Sequence, residues 1–370
     1  MKKVLFLITN LAHGGAERVL VNLANNLDKE KYDVTVQTIF DEGVNRKYLS
    51  PNIHYKSVFS RSFHGIKYIT AILPAPVLHK LFIKETYDFE IAYLEGPPAK
   101  IIGGCTDRNI RLLSWIHIEL LSNKVFAEGF RNVREAKKIY QKFSKIVCVS
   151  NTVKQCFERI SGIYGNVEVL YNTNETEKIR ELASEVAEDL DVDDIFTICS
   201  VAKIEDSKGY DRLLEVHKRL IDEGYLHKII LIGVGSKSKK LEECAKVYGV
   251  SKSFQLIGFR DNPYKYVAKS DLYVCSSRRE GFSTAVTEAL VLGTPVVSTE
   301  CSGAKELLGD NDEYGLVVEN STEGIYWGLK RMLQEPGLLD HYTRQAQIRG
   351  TYFSREKTVA AVENMLENIE

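Results

Sequence analysis

The residues best placed to do chemistry lie in the C-terminal half of the chain, at residues 279–290. This segment reads Arg-Glu-Gly-Phe-Ser-Thr-Ala-Val-Thr-Glu-Ala-Leu and follows a short apolar run that predicts a strand at 272–275. Glu280 precedes a predicted turn at Gly281, a residue that lets the backbone turn sharply and approach a ligand. Glu288 falls about one turn into the next predicted helix, where its carboxylate can accept hydrogen bonds from sugar hydroxyl groups.

The start of that predicted helix is suited to binding an anion. Backbone N–H groups at a helix N-terminus point outward and favour negative charge, so they can bind a diphosphate. The amides concerned are those of Phe282, Ser283 and Thr284, beside Gly281. The alternative is an ordinary helix N-cap with two solvated carboxylates. The two glutamates are separated by seven residues, with Gly-Phe after the first, and this pattern favours a binding site.

A second group of charged residues follows the predicted strand at 196–201. Lys203 and Lys208 share one loop that ends at Gly209. Two ammonium groups at the carboxyl end of a strand can neutralise a diphosphate and stabilise the charge that develops on it as a bond breaks. The alternative is a pair of exposed surface lysines, and the position at a strand end favours the binding interpretation.

Two candidate groups lie in the N-terminal half. Gly15 and Ala16 follow the first predicted strand in the sequence Gly-Gly-Ala-Glu-Arg. This is not Gly-x-Gly-x-x-Gly, so a nicotinamide-dinucleotide site is not favoured, and a plain turn into a helix is the alternative. His117 stands at the end of another predicted strand, where a purely structural histidine is the alternative.

Apolar runs alternate with helical patterns along the chain. The N-terminal half has predicted strands at 4–8, 34–40, 89–94, 112–116 and 145–149, with a helix at 17–27. After an acidic stretch at 175–194, further strands are predicted at 196–201, 229–232, 254–257, 272–275 and 295–298. This alternation is typical of parallel α/β sheets covered on both faces.

We therefore expect two doubly wound, Rossmann-like domains that face each other across a cleft, at 1–172 and 173–351. A final helix at about 352–370 either closes the second domain or crosses back onto the first.

These elements, in this order, resemble the retaining glycosyltransferases of family 4, which have the GT-B fold. That family carries a Gly-Arg-Leu…Lys-Gly loop and a Glu-x7-Glu motif. Here Lys208 with Gly209 and the two glutamates match, whereas Lys203 stands where the family has arginine and Ala202 where it has glycine. Lysine keeps the charge of arginine but loses its planar, bidentate fork. The match extends over essentially the whole chain.

The resemblance implies a role for each candidate residue. Glu280 is expected at the donor sugar and Glu288 at the ribose, and His117 is expected to form a hydrogen bond with the transferring sugar. The expected catalytic residues are Glu280, His117 and Lys208. The expected substrate-binding residues are Gly15, Ala16, Lys203, Lys208, Phe259, Gly281, Phe282, Ser283, Thr284 and Glu288.

The implied activity is transfer of a sugar from a nucleotide-diphosphate donor, expected to be a UDP-sugar, to a glycan or lipid-linked acceptor in polysaccharide biosynthesis. A nucleotide-sugar epimerase or hydrolase of the same fold, or a non-catalytic nucleotide-sugar-binding protein, is the alternative. Asp191-x-Asp193-Asp194 falls in the acidic stretch rather than at a strand end. We therefore expect no metal and no other cofactor.

Composition limits the partners and the location. The formal net charge is -1, which gives no indication of a nucleic acid partner, and the 7 cysteines are scattered, as expected for reduced thiols in the cytoplasm. A basic series at 131–145, predicted to lie on one helix, and the mixed segment 78–84 suggest peripheral association with an anionic membrane, at its inner face. A solvated helix face is the alternative.

Overall fold

The computed structural model describes residues 1–12, 14–63, 65–187 and 195–369. Within these residues the chain forms two compact units. Unit 1 comprises residues 1–174 together with 355–370, and unit 2 comprises residues 175–354.

Unit 1 is built on a seven-stranded parallel sheet with the order β3-β2-β1-β4-β5-β6-β7. Its strands are β1 Lys2–Ile8, β2 Tyr32–Phe40, β3 His54–Phe59, β4 Phe89–Ala92, β5 Arg111–Ile116, β6 Lys145–Cys148 and β7 Val167–Val169. Its helices are α1 Gly15–Asn26, α2 Ile66–Ile72, α3 Ala75–Phe82, α4 Pro97–Ile102, α5 Asn123–Phe126, α6 Val133–Tyr140, α7 Asn151–Ser161 and the C-terminal α16 Arg355–Glu367, with a 3-10 turn at Val44–Tyr48.

Unit 2 has a six-stranded parallel sheet with the order β10-β9-β8-β11-β12-β13. Its strands are β8 Thr197–Val201, β9 Lys228–Ile232, β10 Phe254–Gly258, β11 Leu272–Cys275, β12 Val296–Thr299 and β13 Leu316–Val318. Its helices are α8 Thr176–Ala183, α9 Tyr210–Asp222, α10 Ser238–Val247, α11 Tyr264–Val267, α12 Thr284–Leu292, α13 Ala304–Leu308, α14 Thr322–Gln334 and α15 Leu338–Gly350, with 3-10 turns at Asp206–Lys208 and Thr351–Phe353.

The central strands explain why the sequence folds this way. The pattern at 4–8 is continuously apolar, and all five of its residues are fully buried in β1. Helices therefore cover both faces of each sheet, and in unit 2 residues such as Leu213 of α9 and Leu329 of α14 pack on the strands. Each sheet also reverses its winding direction once, between β1 and β4 in unit 1 and between β8 and β11 in unit 2. Ligands of such sheets bind beyond the carboxyl ends of the strands at this switch point.

The predicted strands all form, with ends shifted by one or two residues. The sequence patterns did not indicate β3, β7 or β13, because β3 carries a mixed polar pattern and the other two have three residues each. The acidic stretch also contains a helix that was not predicted, α8. The remaining candidate carboxylates, Asp191-x-Asp193-Asp194, lie outside the described residues.

The prediction of one basic helix at 131–145 is wrong. Helix α6 ends at Tyr140, because the chain must turn into β6, where Lys145 lies. Lys142 turns inward, and its Nζ donates to Gly103 O and Cys105 O at 2.5 and 2.8 Å.

Helix α16 packs on unit 1 although 180 residues of unit 2 separate it from the rest of that unit in the sequence. Asp28 N donates to Glu363 Oε1 over 2.7 Å, and Lys31 Nζ lies 2.8 Å from Glu367 Oε1. Its apolar face, with Leu366 fully buried, completes the core beside α1.

Leu366→Ala is therefore expected to lower the free energy of unfolding of unit 1 by about 2–5 kcal/mol, the usual range for a fully buried leucine. The fluorescence of Trp115 during urea unfolding, in a Trp327→Phe background, measures this because Trp115 is buried in unit 1. Asn364→Ala, an exposed position on the same helix, is the control and should change it by less than about 0.5 kcal/mol. Equal effects of the two changes would show that α16 is not part of the core.

Candidate functional site

The switch point of unit 2 is occupied by an ion pair between the loops that follow β8 and β11. Lys208 comes from the first loop and Glu280 from the second. The Nζ of Lys208 lies 2.6 Å from Glu280 Oε1, and the side chains are only 23% and 13% exposed. Ser277 Oγ donates to the same carboxylate oxygen over 2.6 Å. The sequence therefore brings its two best candidates for charge chemistry into direct contact.

Backbone contacts fix these two loops against each other. Arg278 N donates to Ser207 O over 2.7 Å, and Ser276 Oγ donates to Lys208 O over 2.8 Å. Gly209 lies between them with a φ of 66°, and a Cβ at this position would come within 2.2 Å of Ser276 O. A larger residue would therefore push the loops apart, so Gly209 is what allows Lys208 to reach Glu280.

The environment keeps Lys208 protonated. Burial by itself lowers the pKa of its ammonium, but the charge of Glu280 and the hydrogen bond to it outweigh burial and raise the pKa above its ordinary value. The site thus holds a fixed positive charge of the kind that stabilises a leaving diphosphate.

Helix α12 begins beside this pair. Ser283 is its N-cap, and the Ser283 Oγ accepts a hydrogen bond from Val286 N. Phe282 is buried and packs edge-on against Phe353 at 5.9 Å between ring centroids. Phe282 therefore anchors the turn rather than lining an open site, while Gly281 and Thr284 are partly exposed.

Glu288 lies on α12 and contacts a residue that the sequence patterns did not indicate. Tyr264 Oη, at the start of α11, donates to Glu288 Oε1 over 3.2 Å. Glu288 is half-buried, whereas Phe259, after β10, is 45% exposed. A phenol beside a carboxylate can orient it toward hydroxyl groups, but only the packing of α11 on α12 places Tyr264 there.

Lys203 is less well placed than Lys208. It is exposed at the end of β8 and is not one of the side chains bound to Glu280. Its loop is held by Gly233 and Gly235, where a Cβ would come within 2.0 Å of Ala202 O and 2.2 Å of Ile204 O. Gly233 and Gly235 therefore have a packing role, because the absence of their side chains makes room for the lysine-bearing loop.

In unit 1 the carboxyl edge of the sheet, next to the switch point, holds a carboxylate after β4 and His117 after β5. His117 follows β5, is 9% exposed, and donates its backbone N–H to Glu95 Oε2 over 3.1 Å. Its ring lies 5.0 Å from that of Tyr93, and its Nε2 is buried without a hydrogen-bond partner among the described residues. A neutral histidine with one buried nitrogen unpaired is well suited to accept or donate a hydrogen bond to a ligand hydroxyl.

Glu95 is a candidate that the sequence patterns missed. It follows β4, the neighbour of β5, and burial raises the pKa of its carboxyl. Its position directly after a predicted central strand was the available signal, but a lone Glu-Gly carries no recognisable motif. Gly15 and Ala16 open α1, after the adjacent strand β1, and Gly15 is exposed.

The structure thus brings together some of the predicted residues within each unit. In unit 2, Lys208 contacts Glu280, and the residues from Gly281 to Thr284 lead directly into the helix that carries Glu288. Lys203, after β8, and Phe259, after β10, are both exposed at the carboxyl edge of the same sheet. In unit 1, His117 and the segment with Gly15 and Ala16 lie at carboxyl ends of the same sheet.

Both units match known families. Residues 13–178 match the model described as Glycosyltransferase Family 4, and residues 185–349 match the model described as Glycosyl transferases group 1. The chain is 29% identical over 366 residues to a Campylobacter jejuni enzyme, N-acetylgalactosamine-N,N'-diacetylbacillosaminyl-diphospho-undecaprenol 4-alpha-N-acetylgalactosaminyltransferase, covering 96% of this chain and 97% of that one. It is 27% identical to a lipopolysaccharide core biosynthesis glycosyltransferase of Rhizobium meliloti, covering 53% of this chain and 56% of that one.

The fold is also found among solved structures. Anabaena HepE in complex with UDP and glucose superposes with a TM-score of 0.82 at 20% identity, covering 100% of both chains. The fold and the two matched domains define a glycosyltransferase of the GT-B class. The chain belongs to the glycosyltransferases that combine a Family 4 domain with a group 1 domain, which confirms the predicted family, fold class and enzyme class. Among the described residues, no helix is long and apolar enough to cross a membrane.

The buried state of His117 predicts a pH dependence of stability. Burial lowers the pKa of His117 from 6.5 to about 4. Between these values the unfolded chain binds a proton that the folded chain does not, so this residue's contribution makes unit 1 less stable as the pH falls from 6.5 to 4. His117→Gln is expected to reduce this loss, measured by urea unfolding followed at Trp115. His341→Gln, at an exposed position on α15, is the control and should retain it. If the stability of His117→Gln falls with pH as steeply as that of the wild type, the lowered pKa of His117 is contradicted.

Proposed function

We propose that this chain transfers a sugar from a UDP-sugar to a lipid-linked glycan acceptor, with retention of anomeric configuration, during polysaccharide biosynthesis. The observation that carries the donor assignment is the Lys208–Glu280 ion pair at the switch point of unit 2, beside the N-terminus of α12. Unit 2 is then the donor-binding domain and unit 1 the acceptor-side domain.

The donor diphosphate binds at Lys208 and the amides at the start of α12. In the structure Glu280 neutralises the Lys208 ammonium. When a diphosphate arrives, it supplies the counter-charge instead, and the Glu280 carboxylate can accept hydrogen bonds from the sugar hydroxyls. Lys203, exposed at the same end of the sheet, adds a second positive charge. Glu288, oriented by Tyr264, binds the ribose hydroxyls, and Phe259 packs beside the base.

The reaction needs no covalent intermediate. The bond between the anomeric carbon and the diphosphate oxygen breaks, and the acceptor hydroxyl oxygen forms the new bond on the same face of the sugar. The proton of that hydroxyl passes to the departing phosphate oxygen. Lys208 and the helix amides stabilise the negative charge that develops on the leaving diphosphate, and such electrostatic stabilisation is usually the largest single contribution to catalysis. His117 binds the transferring sugar through its unpaired Nε2.

The acceptor and donor assignments draw on the relatives as well as on the site. The Campylobacter jejuni relative is named for a diphospho-undecaprenol acceptor, and the superposed Anabaena structure holds UDP. A hydrolase or epimerase of the same fold is distinguished by one measurement. In a transferase, release of UDP from the donor depends on an added acceptor, whereas a hydrolase releases UDP without one.

Lys208→Ala is expected to lower kcat/KM about 100- to 1000-fold, because it removes a charge that stabilises the transition state. Glu288→Ala is expected to lower it roughly 10- to 100-fold, mainly through the donor KM, because a hydrogen bond to a charged group is lost. Turnover of UDP-sugar with a polyprenyl-diphosphate glycan acceptor measures both.

The controls are Lys252→Ala and Glu242→Ala, which change exposed residues of unit 2 and should leave turnover unchanged. Circular dichroism and thermal unfolding check that each variant folds. A folded Lys208→Ala protein with wild-type turnover would remove the basis of the proposed donor site.

A surface of unit 1 supports association with the membrane that carries such an acceptor. Residues 61–84 contain four basic residues, Arg61, Lys67, Lys80 and Lys84, and no acidic residue. Within the segment 78–84 that the sequence indicates, Leu78, Phe82 and Ile83 are buried. The exposed apolar residues of this membrane-docking surface are instead Phe63, Tyr68, Ile69, Ile72, Val77 and Leu81.

Exposed apolar groups beside positive charge are the features that bind an anionic lipid surface. Tyr68 and Ile72 of α2 are 66% and 71% exposed. Arg131 donates to Ile72 O over 3.3 Å, so the guanidinium lies at the same edge.

The double variant Ile72→Ser/Leu81→Ser is expected to weaken binding to vesicles at least about tenfold, because two apolar side chains no longer leave water. Co-sedimentation with vesicles of phosphatidylglycerol and phosphatidylcholine measures this, and binding should weaken at high salt. Leu226→Ser, an exposed leucine of unit 2, is the control. Absence of wild-type binding at low salt would rule out the membrane-docking surface.

A further inference from the structure

Unit 1 contains a group of potential metal ligands that the proposed transfer reaction does not use. His79 on α3, Glu90 in β4 and Cys105 after α4 offer one ligand atom each, and these atoms lie within 4.8 Å of one another. The three residues come from three different segments of the chain. Histidine nitrogen, carboxylate oxygen and cysteine sulfur are the donor atoms that Zn²⁺ prefers.

The carboxylate in this group is incompletely satisfied. Glu90 is 0% exposed in a central strand of the sheet. Its Oε2 lies 2.7 Å from His79 Nε2, but its Oε1 is buried without a hydrogen-bond partner among the described residues. A buried carboxylate oxygen normally has a partner, so the His79 contact alone does not account for this residue. A cation would satisfy the second oxygen.

The thiol is also placed for such a ligand. Cys105 is buried, and its Sγ lies within 4.8 Å of the candidate ligand atoms of His79 and Glu90. The nearby ammonium of Lys142 is used elsewhere, since it donates to the backbone oxygens of Gly103 and Cys105. A divalent cation would therefore supply the positive charge that makes a thiolate stable at this position.

Charge and access are consistent with this ligand. Zn²⁺ with one thiolate, one carboxylate and one neutral imidazole has no net charge, which suits a buried site. The His79 side chain is 17% exposed, so the group is open to solvent on one side for entry of the ion and of a water as fourth ligand. The His79–Glu90 separation of 2.7 Å is that of a hydrogen bond, so both side chains must move apart slightly to admit the ion.

We propose that His79, Glu90 and Cys105 form a zinc site that fixes α3 and the end of α4 to the central sheet of unit 1. Binding replaces the hydrogen bond between His79 and Glu90 by two metal–ligand bonds and adds a third from Cys105. The Cys105 thiol releases its proton to solvent, and His79 binds the ion through a neutral imidazole nitrogen. The site is structural and independent of the donor site in unit 2.

Cobalt(II) titration of the tag-free full chain, after removal of bound metal by chelator, tests the proposal. A thiolate-to-cobalt charge-transfer band in the near ultraviolet is expected, saturating at one ion per chain, with displacement by Zn²⁺. Zn²⁺ should also raise the Tm. Absence of the band, or saturation only at millimolar cobalt, would overturn the proposal.

Cys105→Ser is expected to abolish the charge-transfer band and to weaken Zn²⁺ binding at least about 100-fold, because loss of a residue that binds the metal costs more than loss of a residue that only orients a ligand. Cys244→Ser, a partly exposed cysteine of unit 2, is the control and should retain both. A band that persists in Cys105→Ser would place the ion elsewhere and overturn the assignment.

If Cys105→Ser does not fold, His79→Gln is tested in the same way and should reduce the affinity for Zn²⁺. Transfer activity measured in chelator separates this result from the donor site, since turnover is expected to persist at a lower Tm.

Discussion

The arrangement of unit 2 depends on a partly buried ion pair between Lys208 and Glu280. Removing two charges from water is costly, so such a pair adds little to stability and is better explained by what it positions. The surrounding structure is organised around it: the loops after β8 and β11 are joined by backbone hydrogen bonds, Gly209 allows their close approach, and α12 starts where the second loop ends. In the proposed function, an ammonium and a set of helix amides are thereby held in position for the donor diphosphate before it binds. Such preorganisation is what makes charge stabilisation effective, because little rearrangement remains during the reaction.

Unit 1 repeats the topology but carries different chemistry at the same place. The carboxyl ends of β4 and β5 present Glu95 and His117, whose pKa values burial moves in opposite directions, upward for the acid and downward for the base. Both shifts favour the neutral forms. Neutral hydrogen-bonding groups are suited to an uncharged sugar, whereas the charged groups of unit 2 are suited to a diphosphate. The difference follows from the side chains at the strand ends, since the two sheets are built alike.

Helix α3 illustrates how one short element serves two surfaces of unit 1. Its inner side contributes Leu78 and Phe82 to the core and His79 to the group with Glu90, while its outer side exposes Val77 and Leu81. A helix of eight residues has little stability of its own, so its position must come from tertiary contacts. A metal ion bound by His79, Glu90 and Cys105 would supply such a contact where the proposed membrane-docking surface packs on the sheet.

The sequence by itself determined the strand–helix alternation, the division into two α/β domains and the positions of Lys208, Glu280 and Glu288, because apolar periodicity and short motifs are local properties of the chain. The tertiary structure alone decided the rest. It brings together residues whose separation in the sequence carries no pattern. Examples are Tyr264 with Glu288, Glu95 with His117, and the group of His79, Glu90 and Cys105. The same holds for exposure: Leu78 and Ile72 look alike in the sequence, yet one is buried and the other exposed. The return of α16 to unit 1 is likewise fixed by packing, since an amphipathic helix shows which face is buried but not which surface buries it.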